Sequence, residues 1–408
     1  MPTGPPGPKI DGRRLRETWE AMARVGATAA GSVTRHALSD EDRQARDLLR
    51  RWCADDGRRV ALDDLGNMYC GEVAEEAVLC GSHLDSVARG GRFDGVLGVL
   101  CGLEVLRTIE AAGFRTSRPV ALVNFTNEEG ARFEPAMMSS GVLAGAQDLE
   151  RVNATRDRDG LSFGEELERI GYRGERANRL KRFAAYFELH IEQGPVLEAA
   201  GIPVGVVTGI QGIQWCEVAF SGQQSHAGAT PMSMRRDPLA AAARFASGVH
   251  ELARQSPDTA ATIGRLRLDP DVINVIPGRV ALGLDLRCPA AERLDDLVAG
   301  AHSLARRAAA EENVELAFEP FWRSEPTVFD SALVDSVERS AAATGVRSMR
   351  LLSGPGHDAK YMAELGPAAM VFVRTLRGRS HCEDEEARWE DCEAAANVLL
   401  LSVLEAAA

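Results

Sequence analysis

The chain has 408 residues, 45% hydrophobic and 26% charged, with 47 Lys and Arg against 60 Asp and Glu, a formal charge of −13. That length calls for two or three domains rather than one small core, and the composition is that of a globular chain, neither disordered nor membrane-embedded. Arginines scattered through an acid excess lack the clustering that phosphate contacts need, which excludes nucleic acid and an anionic membrane as expected partners.

The N-terminal stretch Met1–Lys9 is rich in Pro and Gly and has no apolar segment, so it reads as a floppy tail rather than a signal peptide. The longest uncharged apolar run, Ala394 to Leu404, falls far short of the roughly 20 residues that span a bilayer. The eight cysteines show no CxxC spacing and read as reduced, packed thiols, and the expected location is the cytoplasm. Helical periodicity covers Asp11 to Ala23, and the capping signal at Ser39–Asp42 leads into a second helix over Gln44 to Asp55. Ala77–Ser82 is a buried-strand run ending at His83, the helix Val96 to Ala112 follows, and Pro119–Phe125 is a strand running into Glu128-Glu129. Ala184–Leu189 ends at His190, and Ala368–Val373 precedes His381. Strand–helix alternation predicts an α/β fold with a mostly parallel sheet, in which ligands bind beyond the carboxyl ends of strands.

Between Ile210 and Trp322 the rhythm changes to strand, helix, strand, strand, helix, strand, the β-α-β-β-α-β order of a ferredoxin-like unit. The expected organisation is a discontinuous catalytic domain, 1–209 and 323–408, with an inserted domain at 210–322.

Chemistry concentrates at the strand ends. Gly81–Gly95 contains His83, Asp85 and Asp94, and imidazole and carboxylate both suit a borderline divalent metal. Asp85, two residues after His83, is expected to share its strand face and orient the imidazole, while glycines around Asp94 let the backbone bring that carboxylate back over His83. In isolation this stretch reads equally well as a Gly-rich surface loop. In Asn127-Glu128-Glu129-Gly130 one carboxylate can bind metal while its neighbour moves a proton. With His190 and His381, the set His83, Asp94, Glu129, His190 and His381 exceeds what one four-coordinate ion with an open position needs. Two divalent ions bridged by a carboxylate fit better.

The stretches Ser82–Gly98, Asn127–Phe133, His190–Pro195, Ser225–Met232, Asn274–Arg287 and Gly354–His381, with Val33-Thr34-Arg35 and Asp64–Asn67 near the front, resemble the hydantoinase/carbamoylase branch of the M20 di-metal amidohydrolases. The resemblance implies that His83 and His190 bind one ion, Glu129 and His381 the other, with Asp94 between them; the metals would be Zn, Mn, Co or Ni. It implies Glu128 as the general base that then protonates the leaving nitrogen. His226 would stabilise the tetrahedral oxyanion, Asn274 and Arg287 would hold a substrate carboxylate, and Gln193 and Gly356 would lie near the carbamoyl group and carboxylate. The inserted domain would form a homodimer contact and close over the substrate. His357 is not assigned as a ligand, and His36, His250 and His302 read as surface or packing residues.

The expected reaction is hydrolysis of a linear C–N bond in an N-carbamoyl-L-amino acid or related ureido acid, with release of ammonia and CO2. Allantoate hydrolysis, deacylase or dipeptidase action on an unusual amide, and a non-catalytic ligand-binding role are the alternatives. Departures from the family pattern at Ala88, Ser139, Arg374, Arg377 and Cys382 spare every ligand and the base. Arg374 and Arg377 suggest selection of a more anionic substrate.

Overall fold

A computed structural model describes residues 8–408, so all but the last two residues of the N-terminal tail lie outside the described part. The strands in chain order are β1 (Val60–Leu62), β2 (Met68–Gly71), β3 (Val78–His83), β4 (Val120–Phe125), β5 (Ala185–Ile191) and β6 (Val204–Ile210). They continue as β7 (Gly212–Ser221), β8 (Ser225–His226), β9 (Ala260–Asp269), β10 (Val275–Ile276), β11 (Arg279–Cys288) and β12 (Glu315–Ser324). The last three are β13 (Thr327–Val328), β14 (Ser348–Ser353) and β15 (Ala368–Val373). The chain divides into two compact units, one ending at Gly209 and resuming over Val328–Ala408, the other Ile210–Thr327. The expected resumption at 323 falls inside β12, whose ladder with β7 continues to Ser324, so the division comes a few residues later.

The first unit is a mixed α/β structure around one large sheet in the order β1-β2-β4-β3-β5-β15-β6-β13, with β14 also on β6. The four central strands pair in parallel, whereas β1 with β2, β2 with β4, and β15 with β6 are antiparallel. Every residue of β3, β5 and β15 is buried, as expected where helices cover both faces of a parallel sheet. The helix Val96–Ala111 packs on β3, β4 and β5, and the helix Trp389–Ala407 on β3, β5 and β15. Both are apolar almost all round because both are sunk into the core. Gly98 lets the helix Val96–Ala111 sit directly on β5: a Cβ there would meet the Leu189 carbonyl oxygen at 2.2 Å.

In the second unit four antiparallel strands run in the order β12-β7-β11-β9, with helices Pro238–Arg254 and Ala291–Glu311 packed together and against the sheet. Its core is Phe220 and Phe245 with Val, Leu and Ala side chains from sheet and helices. No helix among the described residues is long and apolar enough to cross a membrane. All eight cysteines are free thiols, seven of them buried.

Candidate metal centre

Parallel pairing aligns the carboxyl ends of β3, β4 and β5, and the polar side chains beyond them converge. His83 ends β3 and His190 lies one residue from the end of β5, both almost fully buried. Asp94 enters from the turn before the helix Val96–Ala111. There Gly95 takes a φ of +65°, and a Cβ would lie 2.3 Å from the His83 ring. Glu128 and Glu129 leave the end of β4 through Asn127, at φ +58°, whose side-chain amide donates to the Phe133 carbonyl at 2.9 Å. His381, at φ +55°, comes from the loop beyond β15 with its side chain half exposed.

Asp94 stands at the centre. Its Oδ1 is 3.1 Å from His190 Nε2, and its Oδ2 is 3.3 Å from His381 Nε2 and accepts from Gln193 Nε2 at 3.0 Å. Glu129 Oε2 also lies 3.3 Å from His381 Nε2. Two groups of donor atoms that could each hold a metal ion therefore share Asp94: His83 with Asp94 and His190, and Asp94 with Glu129 and His381.

This donor set fits a cation. His83 Nδ1 faces the Asp85 carbonyl and His190 Nδ1 the Ile191 carbonyl, each at 2.9 Å. A carbonyl only accepts, so each Nδ1 carries the proton and each Nε2 turns a lone pair toward the centre. The Gly95 amide, 3.2 Å from His190 Nε2, is consistent with that tautomer. Such a lone pair 3.1 Å from a carboxylate oxygen needs a positive charge between them, supplied by a proton or an ion. Glu129 Oε1 is buried with no hydrogen-bond partner, an acceptor left over for the same purpose. Burial lowers His83 to about 4, favouring the neutral ligand form, whereas the hydrogen bond to Asp94 raises His381 to about 9.

Glu128 is placed for a different role. Its Oε2 lies 3.5 Å from His83 Nε2, and burial, then the neighbouring Asp358 and Glu129, push its carboxyl well above the usual range. A dry carboxylate close to four other acids, Asp358, Glu129, Asp85 and Glu188, holds a proton readily, as a general acid and base must.

Asp85 acts differently from the expectation. The strand ends at His83, so Asp85 does not share its face, and the Asp85 carbonyl rather than the carboxylate meets the imidazole. The carboxylate lies 3.8 Å from Nδ1 and accepts the amides of Glu128 and Glu129, each at 3.3 Å. It ties the turn bearing both glutamates to the strand bearing His83.

Several residues at the site were given no role from the sequence. Glu385 accepts the Phe93 and Asp94 amides at 3.3 and 3.1 Å and the Ser380 hydroxyl at 2.7 Å. Burial raises it to about 7. Glu188 takes hydrogen bonds from Ser82, Tyr186 and the Ala359 amide, and His357 lies with its ring centroid 4.3 Å from that of His190. Glu188, His190 and His357 form a third group of converging donors, and Asp358 hydrogen-bonds Ser140 beside it. Alternation along β5 puts Glu188 on the His190 face, a readable cue; Glu385 and His357 sit in loops without one.

Arg374 donates twice to Asp391, at 2.9 and 2.7 Å, within a nearly buried pair, and Arg377 bonds the Asp384 carbonyl and Glu386. Both guanidinium groups are held by acids and carbonyls, which removes the reason to read them as selectors of an anionic substrate. Gly356 packs on Met137, whose Cε a Cβ would meet at 2.9 Å.

His226, Asn274 and Arg287 belong to the second unit. His226, on β8, accepts the Gly228 and Ala229 amides on Nδ1, both at 3.1 Å, which leaves Nε2 as the donor of the neutral ring. Asn274 is exposed beside β10 and its carbonyl accepts the Ala227 amide at 3.0 Å. Arg287, on β11, forks onto Asp285 at 3.1 and 2.9 Å, and Asp285 also accepts the Trp215 indole at 3.0 Å.

Residues 79–405 match the family Peptidase family M20/M25/M40. The chain is 40% identical over 406 residues to an N-carbamoyl-L-amino acid amidohydrolase from Geobacillus stearothermophilus, covering 98% of this chain and 99% of that one. It is 39% identical over 404 residues to an N-carbamoyl-L-amino-acid amidohydrolase from Rhizobium meliloti, with coverage of 98% and 97%. A crystal structure of an amidase of the hydantoinase/carbamoylase family from Burkholderia multivorans superposes with a TM-score of 0.92 at 44% identity, over 98% of each chain. With its donor set at the ends of three parallel strands and relatives that match it end to end, the chain belongs to the M20/M25/M40 peptidase family, within the hydantoinase/carbamoylase branch.

Proposed function

We propose that the protein is a metal-dependent amidohydrolase that cleaves the linear C–N bond of an N-carbamoyl-L-amino acid or a close ureido relative. The overall change, R–NH–CO–NH2 + H2O giving R–NH2, CO2 and NH3, is balanced without a further reactant. The observation that carries this reading is Glu128, buried with a raised pKa 3.5 Å from His83, beside five metal-binding side chains that share Asp94. The names of the relatives supply the substrate class.

Two divalent ions, Zn, Mn, Co or Ni, held by His83 with His190 and by Glu129 with His381 around a shared Asp94, would supply Lewis acidity that polarises the ureido carbonyl and acidifies water. Glu128 accepts the proton of the attacking water at its carboxylate and delivers it to the leaving nitrogen. Asp85 keeps Glu128 and Glu129 in register through their amides. Gln193, already hydrogen-bonded to Asp94, is in place to contact the carbamoyl group, and Gly356 leaves room for the substrate carboxylate. His226 offers Nε2–H to the developing oxyanion, a donor type that contributes a few kcal/mol in comparable sites. Asn274 and Arg287 take the substrate carboxylate, Arg287 sharing its fork with Asp285 or releasing it.

The β-α-β-β-α-β order of the second unit and its strand order support reading it as ferredoxin-like, and we propose that it serves as lid and homodimer contact. Unbridged cysteines are consistent with a cytoplasmic location.

Ammonia release from N-carbamoyl-L-amino acids, with metal content measured in parallel, tests this function. Glu128→Gln should lower kcat by about 10²–10⁴ while metal content stays that of the parent. Undiminished turnover in that variant would remove Glu128 from its role, and a metal-loaded parent inert toward the whole panel would refute the substrate class.

A further inference from the structure

The two residues before Asp94, Arg92 and Phe93, line a cavity of about 620 Å3 that none of the metal-binding or proton-transfer side chains enters. Its other walls are the helix Gly12–Met22 with the turn after it, and the segment from Leu376 to Trp389. All of these belong to the first unit. The volume lies within the ~300–1,000 Å3 of small-molecule sites.

The charge on this cavity runs against that of the chain. Four arginines line it, Arg16, Arg24, Arg92 and Arg388, in a protein of net charge −13. Two acids share the wall, and both are already paired, Glu20 with Arg16 at 3.1 Å and Glu386 with Arg377 at 3.3 Å. Among the described residues no carboxylate lies within ion-pair distance of Arg24, Arg92 or Arg388. Three guanidinium groups facing one space repel one another unless an anion is present, and planar guanidinium suits carboxylate or phosphate.

The apolar part of the wall is aromatic. Trp19 stacks on Phe93 with centroids 4.6 Å apart, donates its indole N–H to the Arg92 carbonyl at 2.9 Å, and lies 5.8 Å from Trp389. The Arg92 guanidinium sits 5.3 Å from the centre of Trp19, and that of Arg16 5.7 Å from Trp389. Trp19 is nearly buried and forms a fixed floor, whereas Trp389 is only half-buried and leaves ring surface toward the cavity.

We propose that this cavity binds an organic anion with a flat apolar body, its carboxylate or phosphate held by Arg24, Arg92 and Arg388 and its body against Trp389. The site is separate from the metal centre and does not depend on the reaction assigned there.

Tryptophan fluorescence of the metal-loaded protein, titrated with 2-naphthoate and with 1-naphthyl phosphate, provides the test. At least one probe should quench saturably, and the tighter of the two identifies the head group. Arg24→Ala and Arg388→Ala, both exposed positions whose loss spares the fold, should each weaken that probe by roughly tenfold. Trp389→Phe should remove most of the signal. Two results would overturn the proposal: no saturable quenching by either probe up to millimolar concentration, or equal affinity in the parent and an Arg24→Ala/Arg388→Ala double variant. The second would place the probe elsewhere, for instance at the metal centre.

Discussion

The backbone at Gly95 decides whether Asp94 and His83 can share one site. Its φ of +65° is left-handed, and a side chain there would overlap the His83 ring at 2.3 Å. Gly95→Ala should therefore displace the imidazole or the Asp94 turn and lower metal affinity, while distant packing is untouched. Metal titration followed by calorimetry should show roughly 10–100-fold weaker binding, the range for a disturbed ligand support; unchanged affinity would mean the turn relaxes without moving either ligand. At this scale the sequence was readable where a donor side chain stands at the end of an apolar strand, as His83, Glu129 and His190 do, and the fold brings these donors together. It was not readable for Glu385, which reaches the Asp94 amide from nearly 300 residues away along the chain and whose acidic loop looks solvated in one dimension. Asp85 was misread because a strand was assumed to continue past His83, and a carbonyl took the role assigned to its carboxylate.

Among the elements, the helix Asp40–Asp55 contributes a device that no motif announced. Arg46 and Asp42, one turn apart and both without solvent exposure, pair at 2.9 Å. Arg46 then reaches the Gly66 carbonyl at 2.7 Å and the Thr126 hydroxyl at 3.2 Å. Thr126 stands two residues before Glu128, so a helix that supplies none of the converging donors anchors the end of β4. Removing one partner of such a pair leaves a buried charge and costs about 3–5 kcal/mol, whereas replacing both by apolar groups costs much less. Arg46→Met should accordingly lower unfolding free energy by that amount in denaturant titration, and Asp42→Leu/Arg46→Met should recover part of it. A double variant no better than the single one would show that the arginine acts through its carbonyl contact instead. Strand positions were legible from apolar runs flanked by glycine, but the antiparallel flanks of the sheet were not. A buried run of β-branched and aliphatic residues reads alike in either direction.

For the molecule as a whole, the first unit concentrates Asp85, Asp94, Glu128, Glu129, Glu188 and Asp358 in one buried region, and burial with mutual repulsion raises Glu128, Glu129, Asp85 and Asp358. Bound cations relieve that repulsion, so ions that bind only the folded form stabilise it, by about 2.7 kcal/mol at a hundred times Kd. Chelation should lower the melting transition of the first unit by several degrees in scanning calorimetry and leave that of the second in place. A thermogram unaffected by the chelator would show that the acids are neutralised by protons alone. The interruption of the first unit was visible as a change of rhythm near Ile210, while its return was placed too early because β12 outlasts its apolar stretch. That interruption also has a consequence for biosynthesis. His190 and His381 are separated by 191 residues, so at about 5–20 residues per second the ribosome needs roughly 10–40 s between them. For most of that interval β5 lacks its neighbour β15, and the nascent chain carries four of the five candidate metal donors beside an open strand edge, a state in which timing of chaperone capture and ion loading can decide the yield of active protein.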